Sequence, residues 1–216
     1  MSTFDLIFFG ALLIALIFTS KIAKKRKSKF QKSTNNFLSA YEFEKVTSIP
    51  SEIYRHGFSI FDLGGDELIE NILQKVNRSC KTYIFDYKYS PNNQATQLTT
   101  QRAIFIKLSN DLLYNFNLKP EGVIDKIKQA IGYEDIDFDD FKEFSRKYAL
   151  HSSERLKVEE QFPHELINIL EKTDGMFIEA RKNCLLIYNK SEHEYSEYEP
   201  LYLEANKYKE LILAST

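Results

Sequence analysis

Carboxylates grouped between residues 134 and 143 are the first candidates for chemistry in this sequence. They are Glu134, Asp135, Asp137, Asp139, Asp140 and Glu143, and they could bind a divalent cation if their oxygens converged. An EF-hand calcium loop needs acids at alternating positions, then a glycine, then a distant Glu, whereas Phe138 and Phe141 lie among these acids and no glycine follows. The pattern favours a solvated loop with buried phenylalanines, so we predict no metal site and no cofactor.

Asp86 is the second candidate, because it lies within the aromatic stretch 81–90, where an unpaired buried carboxylate would be unfavourable. Strand alternation places it on the same face as Ile84 and Lys88. Either that face is wet, or Asp86 pairs with Arg102 on a neighbouring strand. The candidate functional or structural residues of this region are Asp86, Tyr87, Tyr89 and Arg102.

Recognisable catalytic groupings are missing elsewhere. The four histidines show no paired metal-ligand spacing, and no Gly-x-Ser-x-Gly elbow occurs. Gly64-Gly65 lacks the Gly-Lys-Ser/Thr ending of a phosphate loop, which favours a tight turn. Cys80 and Cys184 match no C-x-x-C pattern and are typical of small buried residues in a reduced compartment. We therefore predict no catalytic residue.

Hydrophobic periodicity predicts the elements that would position these residues. The clearest pattern is a hairpin of residues 81–90 and 99–108, whose aromatic residues Tyr83, Phe85, Tyr87 and Tyr89 share one face. The other predicted helices are 37–46, 66–76, 121–131, 153–172 with an interruption near Pro163, and 202–213; the other predicted strands are 112–118, 144–151, 176–181 and 184–188. Helices that alternate with antiparallel hairpins indicate an α+β fold.

Residues 6–18 form an uninterrupted apolar run that is followed by a basic cluster. With its flanks the run reaches from Thr3 to Ala23, which is long enough to cross a bilayer. A cleaved secretory signal would carry its positive charge before the apolar core. The sequence therefore predicts a transmembrane anchor at 1–23, a basic juxtamembrane linker or helical continuation at 24–36, and one α+β domain at 37–216.

The basic cluster also predicts orientation and partners. By the positive-inside rule it lies on the cytoplasmic side, which predicts a single-pass inner-membrane protein with its amino terminus outside and its domain in the cytoplasm. The residues predicted to contact the membrane surface are Lys21, Lys24, Lys25, Arg26, Lys27 and Lys29. Residues 21–36 hold seven basic groups and no acid, which leaves residues 37–216 with a net charge of −8. That charge argues against nucleic acid as a partner.

Four motifs carry a resemblance to known proteins: Phe85-Asp86-Tyr87-x-Tyr89, Phe116-x-Leu118-x-Pro120, Ile136-Asp137-Phe138 and Phe141-x-x-Phe144-Ser145. With the apolar amino terminus and basic linker, the chain resembles a widespread group of uncharacterised bacterial single-span membrane-anchored proteins. The resemblance covers nearly the full length. Its motifs are aromatic and structural, and it implies an anchor and a domain without implying a reaction or a ligand.

Three functions are consistent with these patterns. The first is a membrane-tethered interaction or sensing domain with a protein partner, which is favoured because an acidic surface and an aromatic sheet are visible and catalytic groupings are not. The second is a hydrolase that uses Asp86 and the acids of 134–143. The third is a lipid-handling domain whose sheet holds an acyl chain. An open apolar cavity would favour the third, converging carboxylates the second and a filled core the first.

Overall fold

A computed structural model describes residues 3–91, 98–110, 113–122, 134–189 and 197–215; for residues 3–17, for Asp66 and for Glu134 it describes the backbone alone. The predicted helix at 121–131 falls almost entirely outside these residues. The chain divides into two compact units, Met1–Glu42 with Tyr195–Tyr198, and Phe43–Glu194 with Glu199–Thr216.

The first unit contains α1, a continuous helix of 39 residues that runs from Thr3 to Tyr41. The helix continues without a break through the basic segment, which agrees with a helical continuation in place of an irregular linker. Near its end, Phe37 packs against Tyr41 and Tyr198, with ring centroids 5.0 and 5.6 Å away. These aromatic contacts stabilise the last turns of a helix whose middle is highly charged.

The predicted transmembrane anchor is corrected by the structure. Among the described residues, none of the helices combines the length and the apolar character that a membrane crossing requires. The described side chains of α1, from Phe18 onward, are largely polar and exposed, while those of the apolar run before Phe18 lie outside the description. On this finding the predicted single-pass transmembrane helix is not supported, nor is the inner-membrane location with a cytoplasmic domain that depended on it.

The second unit is α+β, and its described part contains one antiparallel sheet in the order β1-β2-β3-β4-β9-β8-β5-β7-β6. The strands are β1 (Glu44–Lys45), β2 (Gly65–Val76), β3 (Cys80–Ser90), β4 (Thr99–Leu108), β5 (Phe116–Pro120), β6 (Glu134–Asp135), β7 (Tyr148–Ser152), β8 (Met176–Arg181) and β9 (Cys184–Asn189). The helices are α2 (Glu52–Arg55), α3 (Lys142–Lys147), α4 (Arg155–Gln161), α5 (His164–Leu170) and α6 (Glu199–Ala214), and a 3-10 helix spans Ser59–Asp62.

The predicted hairpin of 81–90 and 99–108 is confirmed as β3 and β4, which pair in register from Cys80–Leu108 to Tyr89–Thr99. Phe85 and Phe105 on these strands are fully buried. The predictions of the β8–β9 hairpin, of α6 and of a helix interrupted at Pro163 are confirmed too.

The predicted helix at 66–76 is wrong, because these residues form β2 along the outer edge of β3. The register shifts between Glu70 and Leu73, and Asn71 adopts a φ of 52° there. Such a bulge changes the alternation of the strand, so Ile69 and Ile72, three residues apart, pack against the same core cluster. Three-residue spacing, which normally indicates a helix, here results from a bulged strand.

Three other predictions are partly wrong. The predicted strand at 112–118 begins later, at Phe116, and pairs with β7 and β8. Of the predicted strand at 144–151, the first residues belong to α3 and the strand starts at Tyr148. The predicted helix at 37–46 is the end of α1 followed by β1.

One face of the sheet, here called the aromatic face, carries a core of buried residues. Residues 46–63, here called the strap, cross it and bury Ile53, Phe58 and Ile60 against strand residues, which are Tyr83, Phe85, Tyr87, Phe105, Phe177, Leu186 and Tyr188. On the opposite face Ile84, Ile104 and Ile187 are fully buried. Both faces of the central strands are therefore covered.

Candidate functional site

The four candidate residues of the hairpin divide between the two faces of the sheet. Asp86 and Tyr87 are consecutive in β3, so their side chains point to opposite faces. Arg102 lies directly across from Asp86 on β4, while Tyr89 shares the aromatic face with Tyr87. The structure thus separates a charged pair from an aromatic pair.

The charged pair is a buried ion pair. The Arg102 guanidinium donates from Nε to Asp86 Oδ1 over 2.7 Å and from Nη2 to Oδ2 over 3.2 Å, and Asn71 Nδ2 donates to Oδ2 over 2.8 Å. The side chains are 1% and 5% exposed. The predicted pairing is therefore confirmed and the alternative of a wet face is wrong. With its oxygens occupied in this way, Asp86 is suited to structural support and not to proton transfer.

Tyr87 and Tyr89 belong to a row of four rings that runs from the surface into the aromatic face. The centroids of Tyr54 and Phe61 lie 5.0 Å apart, those of Phe61 and Tyr87 5.4 Å, and those of Tyr87 and Tyr89 5.5 Å. These separations are typical of favourable aromatic contacts. Tyr54 is 53% exposed and Tyr87 fully buried, so the row connects solvent to the core.

A glycine allows the strap to reach this position. At Gly64 a Cβ would lie 2.3 Å from the carbonyl oxygen of Ser90, a distance that no other residue could tolerate. The turn between the strap and β2 can therefore lie directly against the end of β3. Phe61, three residues before Gly64, lies in the part of the strap next to this close approach, and its ring packs against Tyr87.

Two carboxylates, Asp62 and Glu67, accompany the rings. Both are exposed, and neither forms an ion pair with a described residue. The Tyr87 hydroxyl is buried, and the Glu67 carboxylate acts on it both as a charge and as a hydrogen-bond acceptor. Burial raises the pKa of Tyr87, and the nearby Glu67 carboxylate raises it further; the same two causes raise the pKa of Tyr54. We call this group the aromatic–acidic site, and its members are Tyr54, Phe61, Asp62, Glu67, Tyr87 and Tyr89.

A second polar cluster lies beneath the strap, around the fully buried Glu179. Its carboxylate accepts the Ser59 hydroxyl over 2.6 Å and the Ser59 N–H over 3.1 Å. Asn117 and Arg181 donate to it at 3.3 and 3.4 Å. Sequence reasoning missed this cluster, although an acid within the apolar strand β8 was a signal. The cluster anchors the strap to the sheet.

The acids of 134–143 do not approach Asp86. β6, which contains Glu134 and Asp135, lies at one end of the sheet, six strand positions from β3, a distance of roughly 29 Å. The side chains of Asp135, Asp137, Asp139 and Asp140 are exposed. Among the described residues, no three acidic, histidine or cysteine side chains converge as metal ligands. These acids and Asp86 therefore do not form the single site that the hydrolase hypothesis requires.

The remaining predicted positions lie apart from both clusters. Cys80 and Cys184 are buried free thiols, and Cys184 Sγ lies 3.5 Å from His56 Nε2. Burial lowers the pKa of His56, and the charge of Lys182 lowers it further. The basic side chains predicted to contact a membrane surface, Lys21, Lys24, Lys25, Arg26, Lys27 and Lys29, are all exposed on α1.

Comparison with known proteins gives a likeness in fold. Neither a protein-family profile nor a curated protein matches the chain. Among solved structures, the chain is similar to the crystal structure of the mycobacterial trehalose monomycolate transport factor A, TtfA, with a TM-score of 0.58. The likeness covers 86% of this chain and 93% of that chain at 8% sequence identity, so the two share a fold.

Proposed function

We propose that the chain is an interaction or sensing protein that serves a lipid-transport process by contacting other proteins and not by enclosing lipid. The observation that carries this proposal is the aromatic–acidic site, in which one exposed ring, Tyr54, and the exposed carboxylates Asp62 and Glu67 accompany three less exposed rings beside a covered sheet. Solvent-facing aromatic residues with polar neighbours are typical of protein-binding surfaces.

The link to lipid transport comes from the fold. The structurally similar protein is named as a trehalose monomycolate transport factor, and a fold alone does not transfer a ligand. A lipid-handling role would need space for an acyl chain along the sheet. The residues that would line such a space, including Phe85, Phe105 and Leu186, are fully buried against the strap and one another. Their burial favours an accessory role over a carrier role.

Purification of the tagged full chain from its native cells would test this proposal, with mass spectrometry of co-purified proteins and extracted lipids. We expect a specific protein partner and less than one acyl lipid per ten chains. The matched variants are Tyr54→Ala, which alters the aromatic–acidic site, and Leu156→Ala, which alters an exposed leucine elsewhere. The first should reduce recovery of the partner and the second should not. Stoichiometric acyl lipid would overturn the proposal in favour of a lipid carrier.

A further inference from the structure

We propose that Cys184 is a reactive thiol that hydrogen peroxide oxidises to a sulfenic acid, with the imidazole of His56 as its base. Neither residue belongs to the aromatic–acidic site, so the inference is independent of the proposed function.

The first observation is a base beside the thiol. Cys184 Sγ lies 3.5 Å from His56 Nε2 and 3.4 Å from Asn183 Oδ1. Burial lowers the pKa of His56, and the charge of Lys182 lowers it further, so the imidazole is neutral at neutral pH and a ring nitrogen can accept a proton. A nucleophile and a base within hydrogen-bond reach of each other form the arrangement that activates a thiol.

The second observation is the set of cations that the sheet places around the sulfur. Cys184 lies directly across from Lys107 on β4 and from Arg181 on β8, so both cationic side chains are on its face of the sheet. The hydrogen bond to Glu52 raises the pKa of Lys107, and the charge of a Cys184 thiolate raises it further. The ammonium and the thiolate therefore stabilise each other.

The carboxylates nearby do not cancel this positive charge. Glu52 pairs with Lys107 at 2.7 Å and Glu179 with Arg181 at 3.4 Å, while Lys182, in the turn between β8 and β9, adds a third cation. The group is therefore net positive. An electropositive surrounding favours the thiolate, which is the nucleophilic form of cysteine.

The third observation is the contrast with the second cysteine. Cys80 begins β3, its neighbour across the hairpin is Leu108, and its sulfur lies 3.9 Å from the Thr82 hydroxyl. Among the described residues, no histidine or charged side chain bonds to that sulfur. Cys80 is 3% exposed and Cys184 0%, so access alone gives Cys184 no advantage. A faster reaction at Cys184 would have to come from its base and its cations.

Access to the sulfur runs past the imidazole. A fully buried thiol reacts only when a local motion uncovers it. His56 is half-buried at the end of α2, and Gly57 after it adopts a φ of 63° with no atom within 4 Å of the position of a Cβ. Rotation of the His56 side chain therefore uncovers Cys184, while the buried Ile53 and Phe58 hold the strap on either side.

The reaction is a two-electron oxidation of the sulfur. A lone pair of Cys184 Sγ attacks one oxygen of hydrogen peroxide and forms an S–O bond as the O–O bond breaks. His56 accepts the thiol proton and returns it to the departing hydroxide, which leaves as water. The products are a sulfenic acid and one water, so the sulfur is oxidised and the peroxide reduced.

Treatment of the full chain with hydrogen peroxide in the presence of dimedone, which traps sulfenic acids, would test the inference. Mass spectrometry of tryptic peptides follows both cysteines in the same sample. We expect Cys184 to be labelled at least about tenfold faster than Cys80. Unfolding of the whole chain exposes both thiols alike, so equal rates would overturn the inference, as would the absence of label at Cys184.

His56→Gln distinguishes a base from a mere cover. Loss of the base should slow the labelling of Cys184 at least about tenfold at neutral pH. The difference should shrink above about pH 8.5, where a thiol ionises without help. If the ring only shielded the sulfur, its replacement would speed labelling at every pH, and that result would overturn the inference.

A pair of variants at one ion pair tests the role of charge. Lys107→Gln and Glu52→Gln both break the half-exposed contact between these two residues, so any loss of structure should be shared. Lys107→Gln also removes a cation from beside the sulfur and should slow the labelling of Cys184 about two- to fivefold, whereas Glu52→Gln should not slow it. Equal slowing in the two variants would overturn the inference, because it would trace the effect to the fold.

Discussion

At the scale of single residues, the Asp86–Arg102 pair has the most definite energetic consequence. Both side chains are almost completely buried, and water does not compensate a buried charge that loses a counter-ion. Such a pair adds little net stability compared with apolar residues, but its loss on one side is strongly destabilising.

Asp86→Asn keeps the size of the side chain and removes its charge. We expect the free energy of unfolding of the full chain to fall by about 3–5 kcal/mol, because Arg102 remains buried and charged. Urea unfolding followed by circular dichroism would measure it. The control is Glu70→Gln, which removes the half-exposed ion pair with Lys88 and should change stability by about 0–1 kcal/mol. Equal losses in the two variants would contradict the expectation.

The same residues show how far sequence reasoning reaches. Asp86 and Arg102 could be paired in advance, because strand alternation and a hairpin register follow from local pattern. The residues that contact Tyr87 could not be predicted in this way. Phe61 and Asp62 come from the strap, an irregular segment with no periodicity, and its course depends on the close approach at Gly64 and on Glu179, both of which are tertiary features.

At the scale of elements, β2 shows why a periodic pattern can mislead. Its apolar spacing matches a helix, but pairing with β3 and a bulge at Asn71 produce the same spacing in a strand. Pairing between distant segments is invisible to a local window, which is also why the sequence does not predict the pairing of β5 with β7 and β8. The β3–β4 and β8–β9 hairpins were predictable because their strands are close in sequence.

The strap is the element most dependent on one residue. Glu179→Ala removes the acceptor of the Ser59 hydroxyl and N–H, hydrogen bonds to a charged group that are worth about 1.5–3 kcal/mol each. Hydrogen exchange with mass spectrometry should show amides of residues 53–62 exchanging at least about tenfold faster, because the strap opens locally. Amides of β3 and β4 should keep their protection.

The control for this prediction is Glu52→Gln, which breaks the half-exposed ion pair between the strap and Lys107. It should change exchange little, since exposed pairs contribute little. Faster exchange across the whole sheet in Glu179→Ala would contradict the prediction, because it would mean that Glu179 supports the domain as a whole and not the strap.

At the scale of the whole molecule, the dominant feature is the uneven distribution of charge. Seven basic residues lie in 21–36, and residues 37–216 carry a net charge of −8. The sequence alone is sufficient to predict this asymmetry, because exposed charges need no tertiary information. It bears on which surfaces the molecule can approach: anionic surfaces should attract α1 and repel the remainder.

We expect residues 18–216 to sediment with vesicles that contain phosphatidylserine at low salt. The basic residues of α1 are exposed, and each charge near an anionic surface contributes about 1 kcal/mol. The matched variant replaces Lys21, Lys24, Lys25, Arg26, Lys27 and Lys29 by glutamine. It should remain in the supernatant, since its remaining charge is negative. Because these charges are exposed to ions, higher salt should release the unmodified chain as the Debye length shrinks toward about 8 Å.

Neutral phosphatidylcholine vesicles are the control, and neither the unmodified chain nor the glutamine variant should sediment with them. Sedimentation of the glutamine variant with phosphatidylserine vesicles would contradict the prediction, because it would show that the acidic part makes the contact.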